Sequence, residues 1–154
     1  MNLKKLFIVR HGDYLSSGEE GLSPLGIRQM ESIGAEIKTQ HINGTKPRII
    51  TSTATRAKQS ADILTRILEV EAEEHEVLWS ENRRPPQVKK VFDLIDLDGP
   101  EVVIMVTHLE YTELLPLYFG VYALGGSKLP YREIRKGSAY VIDCEEKIAA
   151  VLVS

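Results

Sequence analysis

The sequence predicts an α/β fold, with a mainly parallel central sheet between two helical layers, and three observations carry that prediction. Apolar runs of strand length alternate with segments whose apolar residues recur at helical spacing. The run Val102-Val103-Ile104-Met105-Val106 is continuous and mostly β-branched, as a central strand covered on both faces requires. The chain has 154 residues, 43% of them hydrophobic, enough for one sizeable core. No internal repeat, low-complexity tract or Pro/Gly/Ser-rich linker divides it, so one domain over residues 1–154 is expected.

The elements follow in order. Lys5 to Val9 reads as a buried first strand. Ser23 then supplies a helix cap, with Pro24 at the first helical position. Ile27, Met30, Ile33, Ile37 and Ile42 recur close to one helical face until Asn43-Gly44 breaks the pattern. Arg48 to Thr51 is a short second strand. Ala57, Ala61, Leu64 and Leu68 mark a second helix, for which Ser52 or Thr53 is the expected cap. His75 to Trp79 is read as a third strand. Pro85-Pro86 is expected to open a helix with Val88, Val91, Phe92 and Ile95 on its apolar side, ended by Asp98-Gly99-Pro100. After the Val102–Val106 strand comes a helix from about Tyr111 to Tyr122. Ala139 to Asp143 and Ile148 to Val153 then form a hairpin at the sheet edge.

Charge sets limits on function. With 19 Lys and Arg against 22 Asp and Glu, the net charge of −3 gives no general attraction to nucleic acid or anionic membranes, so any anion site must be local. The apolar run Leu6-Phe7-Ile8-Val9 is too short for a signal-peptide core or a membrane span. Cys144 is the only cysteine, so the chain forms no intrachain disulfide and no Cys-x-x-Cys site, which fits a cytoplasmic setting. No Gly-x-Gly-x-x-Gly follows a strand and no Walker loop is present, so no nucleotide cofactor is expected.

In a parallel sheet, sites form beyond the carboxyl ends of the strands. His11, Arg56 and His108 each follow a predicted strand, and strand ends that align bring them together. A neutral imidazole there can attack phosphorus and form a covalent phosphohistidine, which makes His11 the candidate nucleophile. Phosphoryl transfer depends on fixed positive groups around the equatorial oxygens, a role that suits the guanidinium forks of Arg10 and Arg56. Gly12 lets the backbone approach a ligand, and His108 donates a further hydrogen bond. Glu81 and Asp13 are the two candidate proton donors, with Glu81 preferred. His41 and His75 have no chemical neighbours and read as structural. The basic cluster Lys128, Arg132, Arg135 and Lys136 reads as a solvated face, and the same segment is a candidate lid.

These residues resemble the histidine phosphatase superfamily, the phosphoglycerate mutase-like fold. Arg10-His11-Gly12 looks like its signature, and Leu22 to Gln29 like its first-helix entry. Ser52-Thr53-Ala54-Thr55-Arg56-Ala57-Lys58-Gln59-Ser60-Ala61 is similar to its second arginine segment, and Val106-Thr107-His108 to its second histidine. The resemblance implies a phosphate pocket of Arg10, His11, Arg56 and His108, with no metal or other cofactor and with Glu81 where many members carry the acid. The chain departs from the pattern at Thr53, where many members have proline, and at Leu109, where many have glycine. Leu109 borders the phosphate site, so the pocket backbone is expected to differ there. The length and the Thr107-His108-Leu109 form look most like the compact SixA-type phosphohistidine phosphatases. Only about twenty residues separate Leu78 from Val102, too few for a capping domain, and an open pocket could admit a phosphohistidine protein. Three alternatives remain: a small-molecule phosphomonoesterase of the same family, a phosphate-binding module without turnover, and a metal-dependent hydrolase using His11, Asp13, His108 and Glu110.

Overall fold

The computed structural model describes residues 1–16, 19–129 and 132–154, with His41 described in its backbone alone. Six strands form one sheet: β1 (Lys5–Arg10), β2 (Arg48–Thr51), β3 (Ala72–Glu74), β4 (Val102–Thr107), β5 (Ala139–Asp143) and β6 (Ile148–Leu152). Their order is β3-β2-β4-β1-β5-β6. The first four strands run parallel, and the β5-β6 hairpin adds two antiparallel pairings at one edge. All six residues of β4 are buried, as its uninterrupted apolar run requires.

Side chains alternate across the sheet with period two, and each face builds its own half of the core. Phe7, Val9, Ile49, Ile104 and Val106 pack under α1 (Pro24–Glu36) and α2 (Thr55–Leu68). Leu6, Ile8, Ile50, Val103 and Met105 pack under α3 (Val88–Ile95) and α4 (Leu109–Tyr122). The three-layer α/β/α arrangement expected from the sequence is therefore present.

Several boundaries differ from expectation. The stretch read as a third strand, His75 to Trp79, is instead a 3₁₀ turn at Glu76–Leu78, and the strand lies earlier, at Ala72–Glu74. An edge strand can be polar and exposed, so Glu73 and Glu74 gave no apolar signal, while buried Leu78 belongs to the turn. Pro85 and Pro86 precede α3 rather than open it, and its N-cap is Gln87. That helix ends at Asp96, whose φ of 58° is left-handed, before Asp98-Gly99-Pro100 is reached. Neither Ser52 nor Thr53 is the N-cap of α2. Ala54 holds that position, although the Ser52 hydroxyl accepts the Ala54 amide at 3.3 Å. Ile27 is 42% exposed at the margin of the α1 stripe, whereas Met30, Ile33 and Ile37 are fully buried.

Register places the site. Arg10 at the end of β1 stands opposite Thr107 at the end of β4, and Thr51 at the end of β2 stands opposite Val106. The ladder runs one step further, with the His11 amide donating to Thr107 O and the Ser52 amide to Val106 O, each at 3.1 Å. His11, Ser52 and His108 consequently leave the sheet at the same level.

Candidate active site

The two histidines expected to converge do so. Their ring centroids are 5.0 Å apart, and both residues are buried. Arg56, on the first turn of α2, bridges them: its Nε donates to His11 Nε2 and its Nη2 lies against His108 Nδ1, both at 3.3 Å. The side chain of Arg56 is only 13% exposed, so its charge acts where water screens it little.

The hydrogen bonds define the protons. His11 Nδ1 lies 3.0 Å from the Gly12 carbonyl, which only accepts, so Nδ1 carries the hydrogen. The lone pair is then on Nε2, the nitrogen that Arg56 addresses. Burial, with Arg56, Arg10 and Lys136 nearby, outweighs the opposing bond to Gly12 and pushes the His11 pKa down to about 4. Burial, then the other imidazole and the two arginines, pushes His108 down to about 2. Both rings are neutral at pH 7. On its far edge, His108 Nε2 lies 2.7 Å from the Ser52 hydroxyl.

The remaining candidates take distinct places. Arg10 donates from Nη1 to the Ile134 carbonyl at 2.9 Å, and its charge reaches both histidines. Glu81 extends from the turn closed by mutual Glu81 and Arg84 backbone bonds, and its Oε2 lies 3.4 Å from Arg56 Nη2. Its side chain is 48% exposed. Asp13 is tied down instead. Its Oδ2 accepts from the Ser23 hydroxyl at 2.6 Å and its Oδ1 lies 3.7 Å from Lys136 Nζ. Gly12 serves packing: a Cβ there would lie 2.7 Å from the Gly26 carbonyl of α1, and its amide donates to Ser60 Oγ at 3.0 Å. Leu109 begins α4 directly after His108, so its amide belongs to the helix N-terminus with no intrahelical partner.

Several contributors were not among the candidate residues read from the sequence. Ser60 links Gly12 to the Arg56 carbonyl, which it reaches at 2.8 Å, and only its i+4 spacing from Arg56 hinted at a shared face. Tyr14 packs at 5.4 Å from the His11 ring and lies under both the Arg56 guanidinium and Lys136 Nζ. Trp79 stacks on His108 at 6.3 Å and 16°. His75 contacts Glu73 at 3.2 Å, away from this cluster.

Part of the candidate lid, residues 130–131, and the side chain of His41 lie outside the described residues. What is described of the lid segment is fastened: buried Ile134 takes the Arg10 bond, and the Gly137 amide donates to the Arg10 and His11 carbonyls at 3.0 and 2.9 Å. Glu110, a member of the alternative metal set, accepts from Ser80 Oγ at 3.0 Å. Among the described residues, no three His, Cys, Asp or Glu side chains are grouped as ligands for a metal ion.

Comparison with known proteins agrees with the motif reading. The model of the Histidine phosphatase superfamily (branch 1) matches residues 6–79, a span that holds His11 and Arg56 but ends before Glu81 and His108. No curated protein matches the sequence. Solved structures match over nearly the whole chain. The protein histidine phosphatase SixA complexed with tungstate has a TM-score of 0.69 at 18% identity, covering 96% of this chain and 94% of its own. A Nakamurella multipartitia protein provisionally described as phosphohistidine phosphatase SixA reaches 0.70 at 15%, with 98% and 93% covered. Phosphoglycerate mutase from Plasmodium falciparum gives 0.62 at 19%, with 98% and 89% covered. At these identities the likeness establishes the fold.

Proposed function

We infer that this chain, matched over residues 6–79 to the histidine phosphatase superfamily and sharing that fold along nearly its whole length, is a phosphatase of the superfamily acting through a covalent phosphohistidine at His11. The observation that carries the reading is the state of His11. Its ring is neutral and fixed by Nδ1–H to the Gly12 carbonyl, with Nε2 turned to the buried Arg56 guanidinium.

In this mechanism Arg56, Arg10 and His108 hold the phosphoryl oxygens, and His11 Nε2 attacks phosphorus in line with the leaving group. The N–P bond forms as the bond from phosphorus to the leaving atom breaks, and that atom takes a proton from a carboxylic acid. Water then attacks the phosphohistidine, the carboxylate takes the proton from water, and orthophosphate departs with His11 restored. Glu81 is the better acid on geometry. It is half-exposed beside Arg56, whereas the Asp13 carboxylate is occupied by Ser23 and Lys136. The residues present supply charge, nucleophile and proton donor, so the reaction is proposed to need no metal or other cofactor.

The substrate proposed is a phosphohistidine protein, met in the cytoplasm. The open approach supports it: between Leu78 and Val102 the chain forms only the Glu81–Arg84 turn and α3, and residues 1–154 are proposed to form a single domain. The SixA relative was solved with tungstate, a tetrahedral oxyanion like phosphate. A panel of phosphohistidine peptide, sugar phosphates and nucleotides tests substrate and acid together. The expected result is preference for the peptide, a loss of about 10²-fold or more in Glu81→Gln with poor leaving groups, and a smaller loss in Asp13→Asn. The reverse order of the two variants would assign the acid to Asp13, and turnover of none of the substrates would overturn the enzymatic reading.

A further inference from the structure

Ser52 is fully buried at the carboxyl end of β2, and its Oγ lies 2.7 Å from His108 Nε2. On the opposite edge of that ring, Nδ1 lies 3.3 Å from Arg56 Nη2. A guanidinium nitrogen only donates, so Nδ1 presents its lone pair to Arg56, and the neutral ring must carry its hydrogen on Nε2. Nε2–H therefore donates to the Ser52 hydroxyl, which also accepts the Ala54 amide at 3.3 Å.

A phosphoryl dianion reverses what Nδ1 must offer. It draws the Arg56 guanidinium onto its own oxygens, and those oxygens only accept, so a lone pair on Nδ1 would face lone pairs on oxygen. The ring can meet that demand by moving its hydrogen to Nδ1, provided something donates to Nε2. A hydroxyl can do so. By turning about Cβ–Oγ it accepts from Nε2–H in one state and donates to the Nε2 lone pair in the other, while the Ala54 amide keeps its acceptor throughout. A backbone carbonyl or a carboxylate at this place would lock Nε2–H and forbid the exchange.

We propose that Ser52 is a positioning residue that lets His108 exchange tautomers, with the hydrogen on Nε2 while Arg56 donates to Nδ1, and on Nδ1 when a phosphoryl oxygen takes that place. In the exchange Nε2 gives a proton to water and Nδ1 takes one from water, so the ring stays neutral and no proton is bound in net. Ser52 itself touches no substrate. The proposal rests on the phosphoryl-transfer reading of the site, and the test separates the two.

The measurement is ¹⁵N NMR of the histidine rings in the full chain at pH 7, with and without tungstate. His108 should carry its hydrogen on Nε2 alone and on Nδ1 with tungstate bound. Ser52→Ala should fail to make the exchange and bind tungstate about tenfold more weakly, and Ser52→Thr, which keeps the hydroxyl, should restore both. The His11 resonances report binding independently. If tungstate leaves them unmoved in the wild type, the phosphoryl-transfer reading falls and this proposal with it. If they move while His108 keeps one tautomer, or if Ser52→Ala exchanges like the wild type, only the tautomer proposal is overturned. The wild-type comparison decides the matter even where a substitution at this buried position prevents folding.

Discussion

His11 has one ring nitrogen committed to the backbone, which decides the chemistry left to the other. With Nδ1–H held by the Gly12 carbonyl, Nε2 is the attacking atom, and burial keeps it unprotonated well below neutral pH. A ring titration followed by NMR should find the His11 midpoint near 4 rather than the ordinary 6.5, and a midpoint at 6.5 would show a solvated ring. Arg56 reaches both imidazoles through different nitrogens. A lysine is a point charge without that fork, so Arg56→Lys should lower kcat/KM by about 10²-fold although the charge is kept. At this scale Arg10, His11, Arg56 and His108 were legible because each is a polar residue at or just beyond a predicted strand. Ser52 and Ser60 were not. A serine after a strand, or inside a helix, reads as a cap or as a surface residue, and nothing in its neighbours announces a buried partner distant in sequence.

The elements matter through their ends and their spacing. One turn of α2 carries Arg56 into the pocket and Ser60 beneath it, and Ser60 accepts the Gly12 amide at 3.0 Å. Ser60→Ala leaves that buried N–H without an acceptor. It should destabilise the fold by about 1–3 kcal/mol in chemical denaturation and reduce kcat through the displaced His11 loop. The contact between that loop and α1 is as tight from the other side: a Cβ on Gly26 would overlap the Asp13 carbonyl oxygen. Gly26→Ala should therefore force the Asp13 backbone away, costing about 1–3 kcal/mol, and a variant of wild-type stability would contradict the packing described. Helical periodicity made α1 and α2 legible, and continuous apolar character did the same for β4. The signal failed at β3, whose Glu73 and Glu74 face outward on an edge, and at the end of α3, where a left-handed Asp96 stopped the helix without the glycine that usually marks such a position.

Across the whole molecule, the sheet register lowers the pKa values of both histidines by burying them together, and the fold is destabilised in acid as a result. The unfolded chain binds protons at both rings below about pH 6.5, while the folded chain refuses them until about 4 at His11 and 2 at His108. Stability is therefore full above pH 6.5 and falls as pH drops from there, because each tenfold difference in proton affinity between the folded and unfolded chain is worth about 1.4 kcal/mol. Glu73, held down to about 2 by Arg48, adds a loss only below its ordinary 4.5, and a small one because its side chain is half-exposed. Denaturation curves between pH 7 and 5 should show the decline in the wild type and a flatter profile in a His11→Gln, His108→Gln double variant. An equally steep decline in that variant would place the acid sensitivity elsewhere. Alternation of strand and helix was enough to foresee this convergence of strand ends, whereas the arrangement of protons within it required the structure.

The central claim is that His11 carries the phosphoryl group, and trapping that intermediate tests it most directly. Brief incubation with a ³²P-labelled phosphohistidine peptide, quenching in alkali and mapping of the labelled fragment should place phosphate on His11 in the wild type. None should be retained in His11→Ala. Label on another residue, or turnover by His11→Ala at the wild-type rate, would contradict the account.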